Sequence, residues 1–261
     1  MWNRADLKAR AKQVLKINYW KAFLVSLVIT MVGGNSGGCS GSFSQNLGNN
    51  QGGGSGQFNG QLDSQLNGGF PGPGSEFWGW FLVGAAIVLL ICLMVLAFRV
   101  LLGYPLEVGG RRYFVRSAQN SFDMNALGFG FEKPRYLNIV KAMLWRAFLN
   151  FLWYLLLFIP GIVKNYAYQM VPYILADNPE IGYKRAVELS NEMTRGHKFD
   201  MFVLDLSFIG WFILGFLALF IGVMFVFPYV NATKAELYLV LRNSALDRGI
   251  CTPEELMLTV E

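Results

Sequence analysis

Apolar residues fall in long blocks along the chain, and the first block follows a basic lead-in. Residues 2–16 place Leu7, Ala11, Val14 and Leu15 on one helical stripe, with Arg4, Lys8, Arg10, Lys12 and Lys16 around the remainder. That spacing predicts a basic amphipathic helix over residues 1–18, suited to an anionic membrane face. It runs into YWKAFLVSLVITMV (19–32), a hydrophobic helix with an aromatic and lysine anchor at its start. The second block, FWGWFLVGAAIVLLICLMVLAF (77–98), carries no charge and is long enough to cross a hydrocarbon core of ~30 Å. Trp78 and Trp80 mark one interface and Arg99 the other. In the third, YLNIVKAMLWRAFLNFLWYLLLF (136–158) starts amphipathic and ends apolar. IPG (159–161) predicts a break, and IVKNYAYQMVPYILA (162–176) runs back. The fourth, 199–227, is too long for one untilted crossing, and Gly210, Gly215 and Gly222 offer places to turn.

The segments between the blocks are polar. Residues 33–76 are rich in Gly, Ser, Asn and Gln, without lysine or arginine, and read as a disordered loop. Residues 119–134 read as a second loop, punctuated by Gly and Pro. In 177–198, Asn178 is placed to cap a polar helix, Pro179 fits its first turn and Gly196 ends it. Ile181, Ala186, Val187 and Met193 would lie on a membrane or protein surface. Residues 229–261 read as an extension of the last membrane helix, followed by a capping box at TPEE (252–255).

Composition supports a bilayer setting. Of 261 residues, 54% are apolar and only 15% charged, well below a soluble domain. The net charge of +5 comes from residues beside apolar blocks, so anionic lipid rather than nucleic acid is the expected counterpart. The positive-inside rule puts the 33–76 loop outside and both termini in the cytoplasm. Residues 1–32 also have the outline of a signal peptide, and SGGC that of a lipoprotein site. Against both, the basic lead is long and no hydrophobic residue stands three before Cys39.

Three stretches share one plan: a polar lead-in, an aromatic start, an apolar hairpin, then proline and a helix. The lead-ins are NYWKAFLVSLV (18–28), RYLNIVKAMLW (135–145) and HKFDMFVLDLS (197–207). The exits are GYPLEVGGRRYF (103–114), MVPYILADNP (170–179) and VFPYVNATKAEL (226–237). The fold expected is all-α, a single membrane domain over 1–261 with six short transmembrane helices in three hairpins. Four full spans with re-entrant hairpins is the alternative.

Few residues suggest chemistry. Gly109, Gly110, Arg111 and Arg112, with Arg116 nearby, would form a backbone nest for a lipid phosphate, or simply a helix exit with packing glycines. Asp205 sits inside an apolar run and needs a partner, for which Lys141 or Arg146 is expected. A structural ion pair is favoured over a proton or cation site. Glu236 is expected to stay solvated or paired, and Asn150 and Asn231 to bond between helices. Lys164, beside Tyr166 and Tyr168, would snorkel to an interface or touch a polar cavity. One histidine and scattered cysteines supply no metal cluster, and no hydrolase or protease motif is present. Neither a cofactor nor enzymatic activity is expected.

RAKQVLKINYWKAFLVSL, PLEVGGRRYF, FIPGIVKNYAYQMVPYILADNP and LDLSFIGWFILG…FPYVNATKAELY resemble the family called domain of unknown function 975. The resemblance covers nearly the whole chain apart from 33–76. It implies a multi-pass protein of the bacterial cytoplasmic membrane and supplies no activity, substrate or catalytic residue. The chemistry of the chain points to a non-enzymatic scaffold or interaction protein that self-assembles and binds anionic lipid, with an unidentified membrane partner possible. A transporter or channel for a small or amphipathic solute is the rival.

Overall fold

A computed structural model describes residues 2–31, 75–217 and 221–258 of the chain. The Gly-rich loop expected at 33–76 lies outside them, apart from its last two residues. The described elements are helical: α1 (Arg4–Met31), α2 (Ser75–Phe98), a π-helical turn (Arg99–Gly103), α3 (Tyr104–Ala118) and a 3-10 segment (Met124–Phe131). These are followed by α4 (Lys133–Leu156), α5 (Phe158–Ala167), α6 (Val171–Asp177), α7 (Tyr183–Met193), α8 (Lys198–Leu206), α9 (Ile209–Leu217), α10 (Ile221–Asp247) and a 3-10 turn (Glu254–Leu256).

The chain divides into two compact units, Met1–Ser40 with Phe98–Glu261, and Gly41–Ala97. In the second unit the described part is α2, whose side chains from Trp80 to Ala97 are exposed. An apolar surface of that size is typical of a lipid-facing helix and not of a soluble one. Among the described residues, four helices are long and apolar enough to cross a membrane: Arg4–Met31, Trp80–Ala118, Lys133–Leu156 and Lys198–Leu217. The chain is therefore a membrane protein by length and composition of its helices. The run back through 162–176 is shorter than expected, because α5 has ten residues and measures only about 15 Å.

Several boundaries follow the sequence and several move. Backbone dihedrals at Asn18 (φ −138°, ψ 45°) kink α1 where the amphipathic lead meets the apolar segment. The break expected at IPG falls earlier, at Leu157 (φ −158°, ψ 140°), and Pro160 sits in the first turn of α5, where its missing N–H costs little. Asn178 does not cap α7. Its Oδ1 accepts from the Glu180 amide at 2.8 Å in a turn, and the helix starts at Tyr183. Gly196, at φ +86°, ends the segment as expected. Pro228 lies inside α10, so the third exit continues that helix without interruption. The loop expected at 119–134 contains the 3-10 segment, which packs against α3.

The first unit is built around the three proline exits. α3 packs on α1, α6 and α10, and Tyr173 of α6 stacks on Tyr238 of α10 with ring centroids 5.3 Å apart. The three lead-ins bury the same stripe. Ala22, Val25, Ser26 and Ile29 of α1 correspond in repeat position to Ile139, Ala142, Met143 and Arg146 of α4. They also correspond to Met201, Leu204, Asp205 and Phe208 at α8. All are buried except Asp205, which is half-buried. The apolar stripe of the N-terminal lead, Leu7, Ala11 and Leu15, is also buried, with α1 lying along α10. The membrane face expected for that stripe is thus taken up by protein, and the lysines and arginines around it remain outside.

Gly109 and Gly110 permit the closest approaches in this core. A side chain at Gly109 would collide with the Leu127 carbonyl of the 3-10 segment, and one at Gly110 with the Ile29 side chain of α1. Gly84 of α2 has open space around it. Gly109→Ala is expected to destabilise the protein by about 1–3 kcal/mol through overpacking against fixed backbone. Gly84→Ala should be neutral or slightly stabilising. Thermal unfolding in detergent, compared between the two variants, checks this.

Candidate functional site

The exits bring charge into the interior of the first unit. Glu107 and Arg111 lie one turn apart on α3, and Arg146 arrives from α4; their exposures are 3%, 4% and 6%. The Glu107 Oε1 lies 3.9 Å from both the Arg111 Nη2 and the Arg146 Nη1. Arg111 Nη1 donates to Asn231 Oδ1 at 2.7 Å and to the Tyr173 hydroxyl at 3.3 Å, and Asn231 Nδ2 donates to Ser26 Oγ at 3.0 Å. One network therefore joins α1, α3, α4, α6 and α10. Charges this deeply buried are tolerated only when paired and hydrogen-bonded.

Two smaller clusters flank it. The Asp205 carboxylate accepts from Lys234 Nζ at 3.1 Å and from the Tyr166 hydroxyl at 3.2 Å. The partner expected for Asp205 is corrected here: Lys141 is exposed on α4 and Arg146 is engaged with Glu107. The structural ion pair itself is present. In the other cluster, Asp177 Oδ2 accepts from the Tyr238 hydroxyl at 2.6 Å and from Arg242 Nη1 at 2.9 Å. Burial and the adjacent Asp177 charge hold the Tyr238 phenol well above the ordinary tyrosine range, so it stays a donor.

Other expected residues separate into packing and surface roles. Gly109 and Gly110 lie inside α3, where their amides belong to a helix rather than to a loop nest; the nest reading is corrected. Arg112 donates to the Ala176 carbonyl and stacks on Phe129, 3.6 Å from the ring centroid. Arg116 reaches Asp123 at 3.9 Å. Asn231 bonds between helices, as does Asn150, whose Nδ2 donates to Asn165 Oδ1 at 3.2 Å. Lys164 lies over the Trp153 ring, 4.8 Å from its centroid, and Glu236 is buried rather than solvated, with the Arg10 charge favouring its ionised form. Among the described residues, no group of His, Cys, Asp and Glu is arranged to hold a metal.

Two depressions are found in this unit, the second of them lined by members of the Glu107 network. An apolar groove of about 630 Å³ lies between α1, α9 and α10, walled by Tyr19, Trp211, Leu214, Phe225 and Val226, with Lys12 and Lys16 among its lining residues. Both lysines are exposed. A polar cavity of about 180 Å³ is lined by Arg99, Tyr104, Glu107, Arg146, Asn150 and Asn165. The Asn150 Oδ1 is buried there without a hydrogen-bond partner.

Glu107, Lys234, Tyr173 and Arg242 were not singled out from sequence. The repeat carries a signal for one of them: Lys234 stands six residues after Pro228, as Arg111 stands six after Pro105. The i, i+4 spacing of Glu107 and Arg111 is another. Asp205→Asn should cost about 3–5 kcal/mol by leaving Lys234 buried without its carboxylate. The apolar pair Asp205→Leu with Lys234→Met should recover most of that loss. A thermal-unfolding double-mutant cycle measures both.

No curated protein and no solved structure matches the chain. Residues 138–245, from α4 to α10, match the family model described as Protein of unknown function (DUF975). That segment is similar to the domain of unknown function 975 family, the family the motifs of the chain resemble.

Proposed function

We propose that this protein is a non-enzymatic scaffold of the bacterial cytoplasmic membrane that assembles with copies of itself and holds anionic phospholipid at its cytoplasmic rim. In this reading both termini are cytoplasmic and three hairpins enter the bilayer, the two later ones being short. The observation that carries it is the groove between α1, α9 and α10. Its aromatic and aliphatic walls suit acyl chains, and Lys12 and Lys16, on the basic lead of α1, suit a lipid phosphate. With the apolar stripe of that lead already buried against protein, the basic face is left to meet headgroups.

Native mass spectrometry of the protein released from nanodiscs containing phosphatidylglycerol and phosphatidylcholine tests both halves of the reading. Wild type should appear as an oligomer retaining phosphatidylglycerol, and Lys12→Glu with Lys16→Glu should lose most of the retained anionic lipid. A monomer under all conditions overturns the assembly. Equal retention of both lipids, or no change in the variant, overturns the lipid site.

A second reading, transport of a small polar solute, is supported by the cavity at Arg146, whose amide and guanidinium lining is unusual beside a membrane span. Proteoliposomes loaded with chloride, phosphate or acetate should then leak at least one of these faster than protein-free vesicles. Asn150→Leu should slow that flux severalfold. Leakage equal to that of empty vesicles for all three rejects this reading.

A further inference from the structure

A separate depression of about 390 Å³ lies where the C-terminal end of α3, the end of α6 and α10 meet the tail after α10. It is lined by Arg112, Arg116 and Gln119 of α3 and its end, by Asp177 and Arg242, and by the apolar tail residues Leu256, Met257 and Leu258. Three guanidinium groups thus face one carboxylate. Asp177 Oδ2 takes both the Tyr238 hydroxyl and Arg242 Nη1, so this carboxylate is engaged within the fold. Asp123 lies 3.9 Å from Arg116, with both side chains more than a third exposed, and its Oδ1 is taken by the Asn125 amide at 2.9 Å.

The site is built rather than incidental. Arg112 is fixed by the Ala176 carbonyl and the Phe129 ring. Arg242 is 7% exposed, and its Nε is buried with no hydrogen-bond partner. The tail that forms the apolar wall is latched in place: Arg185 Nε donates to Glu255 Oε1 at 2.6 Å and Arg185 Nη2 to the Ile250 carbonyl at 2.9 Å. Asn178 Nδ2 donates to the Glu255 carbonyl at 2.9 Å. Its hydrogen bond to Glu255 raises the Arg185 pKa above the ordinary arginine range, so the latch is charged at any physiological pH. Met257, in the left-handed region at φ 49°, turns the chain back over the depression, and the Leu258 amide donates to the Pro253 carbonyl at 2.9 Å.

We infer that this pocket binds a phosphoryl group carried on a small organic moiety, with Arg112, Arg116 and Arg242 on the phosphoryl oxygens and the tail against the organic part. Planar guanidiniums match phosphate oxygens in pairs, and the volume is that of a small-ligand site. The pocket shares no lining residue with the Lys12–Lys16 groove, so it does not depend on lipid being held there. The same phosphoryl chemistry is offered by a lipid headgroup and by a soluble phosphate ester.

The test uses the full chain in phosphatidylcholine nanodiscs. In one arm, sn-glycerol 1-phosphate is titrated in by calorimetry. In the other, phosphatidic acid is included in the nanodisc and its retention is read by native mass spectrometry. Saturable binding in the first arm identifies a soluble ester, and selective retention in the second alone identifies a headgroup. In whichever arm binds, Arg116→Gln, which removes a surface-reaching guanidinium, should weaken binding at least tenfold. Arg112→Lys, which keeps the charge and loses the planar fork, should weaken it severalfold. Lys12→Glu with Lys16→Glu should leave it unchanged. Absence of binding in both arms, or binding that Arg116→Gln does not alter, overturns the inference.

Discussion

A buried carboxylate held between two buried arginines is the constraint around which the first unit is organised. Glu107 lies 3.9 Å from guanidinium nitrogens of both Arg111 and Arg146. Removing Glu107 would leave two buried guanidiniums without their carboxylate, which is far more costly than replacing all three with apolar groups. The arrangement therefore fixes which helices can be neighbours. α3 cannot slide against α4, or α10 against α3, without breaking Arg111 away from Asn231 or Arg146 away from Glu107. Apolar packing between helices in lipid gives little such specificity, because acyl chains are as apolar as leucine.

The flanking clusters extend the same logic along the exits. Lys234 takes on Asp205 and Arg242 takes on Asp177, so each pair joins α10 to a different part of the chain. Arg112 and Arg116 reach beyond this set, toward the depression closed by the tail. The protein thus has an inner set of arginines paired with carboxylates within the fold and an outer set, Arg112 and Arg116, whose charge is less fully met. The inner set organises the helices, and the outer set together with the lysines of α1 gives the rim its positive character.

Much of this was legible in the sequence. Helical blocks, the join near Asn18, the ending at Gly196 and the tail turn at Thr252 follow from hydrophobic period and capping chemistry; Thr252 Oγ1 accepts the Glu255 amide at 3.2 Å. The repeat was legible too, and its three lead-ins bury corresponding stripes. Partner choice was not. Asp205 finds Lys234 rather than Lys141 because α4 turns Lys141 outward, and which face a helix turns inward depends on neighbours distant in the chain. Gly109 and Gly110 read first as packing glycines at a helix exit, with a phosphate nest as the alternative, and the docking of the 3-10 segment at Leu127 decides for packing. The tail pocket was invisible because its walls come from α3, α6, α10 and the C-terminal turn, which no local pattern connects.

The bond between Asn231 and Ser26 spans 205 positions in the chain. During synthesis α1 is complete long before α10 exists, so its stripe of Leu7, Ala11 and Leu15 has no protein surface to cover it for most of translation. A basic amphipathic segment can rest on a membrane surface in that interval. The first helix thus waits for α10 until the end of the chain has been made. The Asn231 bonds that tie α1 and α3 to α10 therefore close only after the α3–α4 ion pair can exist.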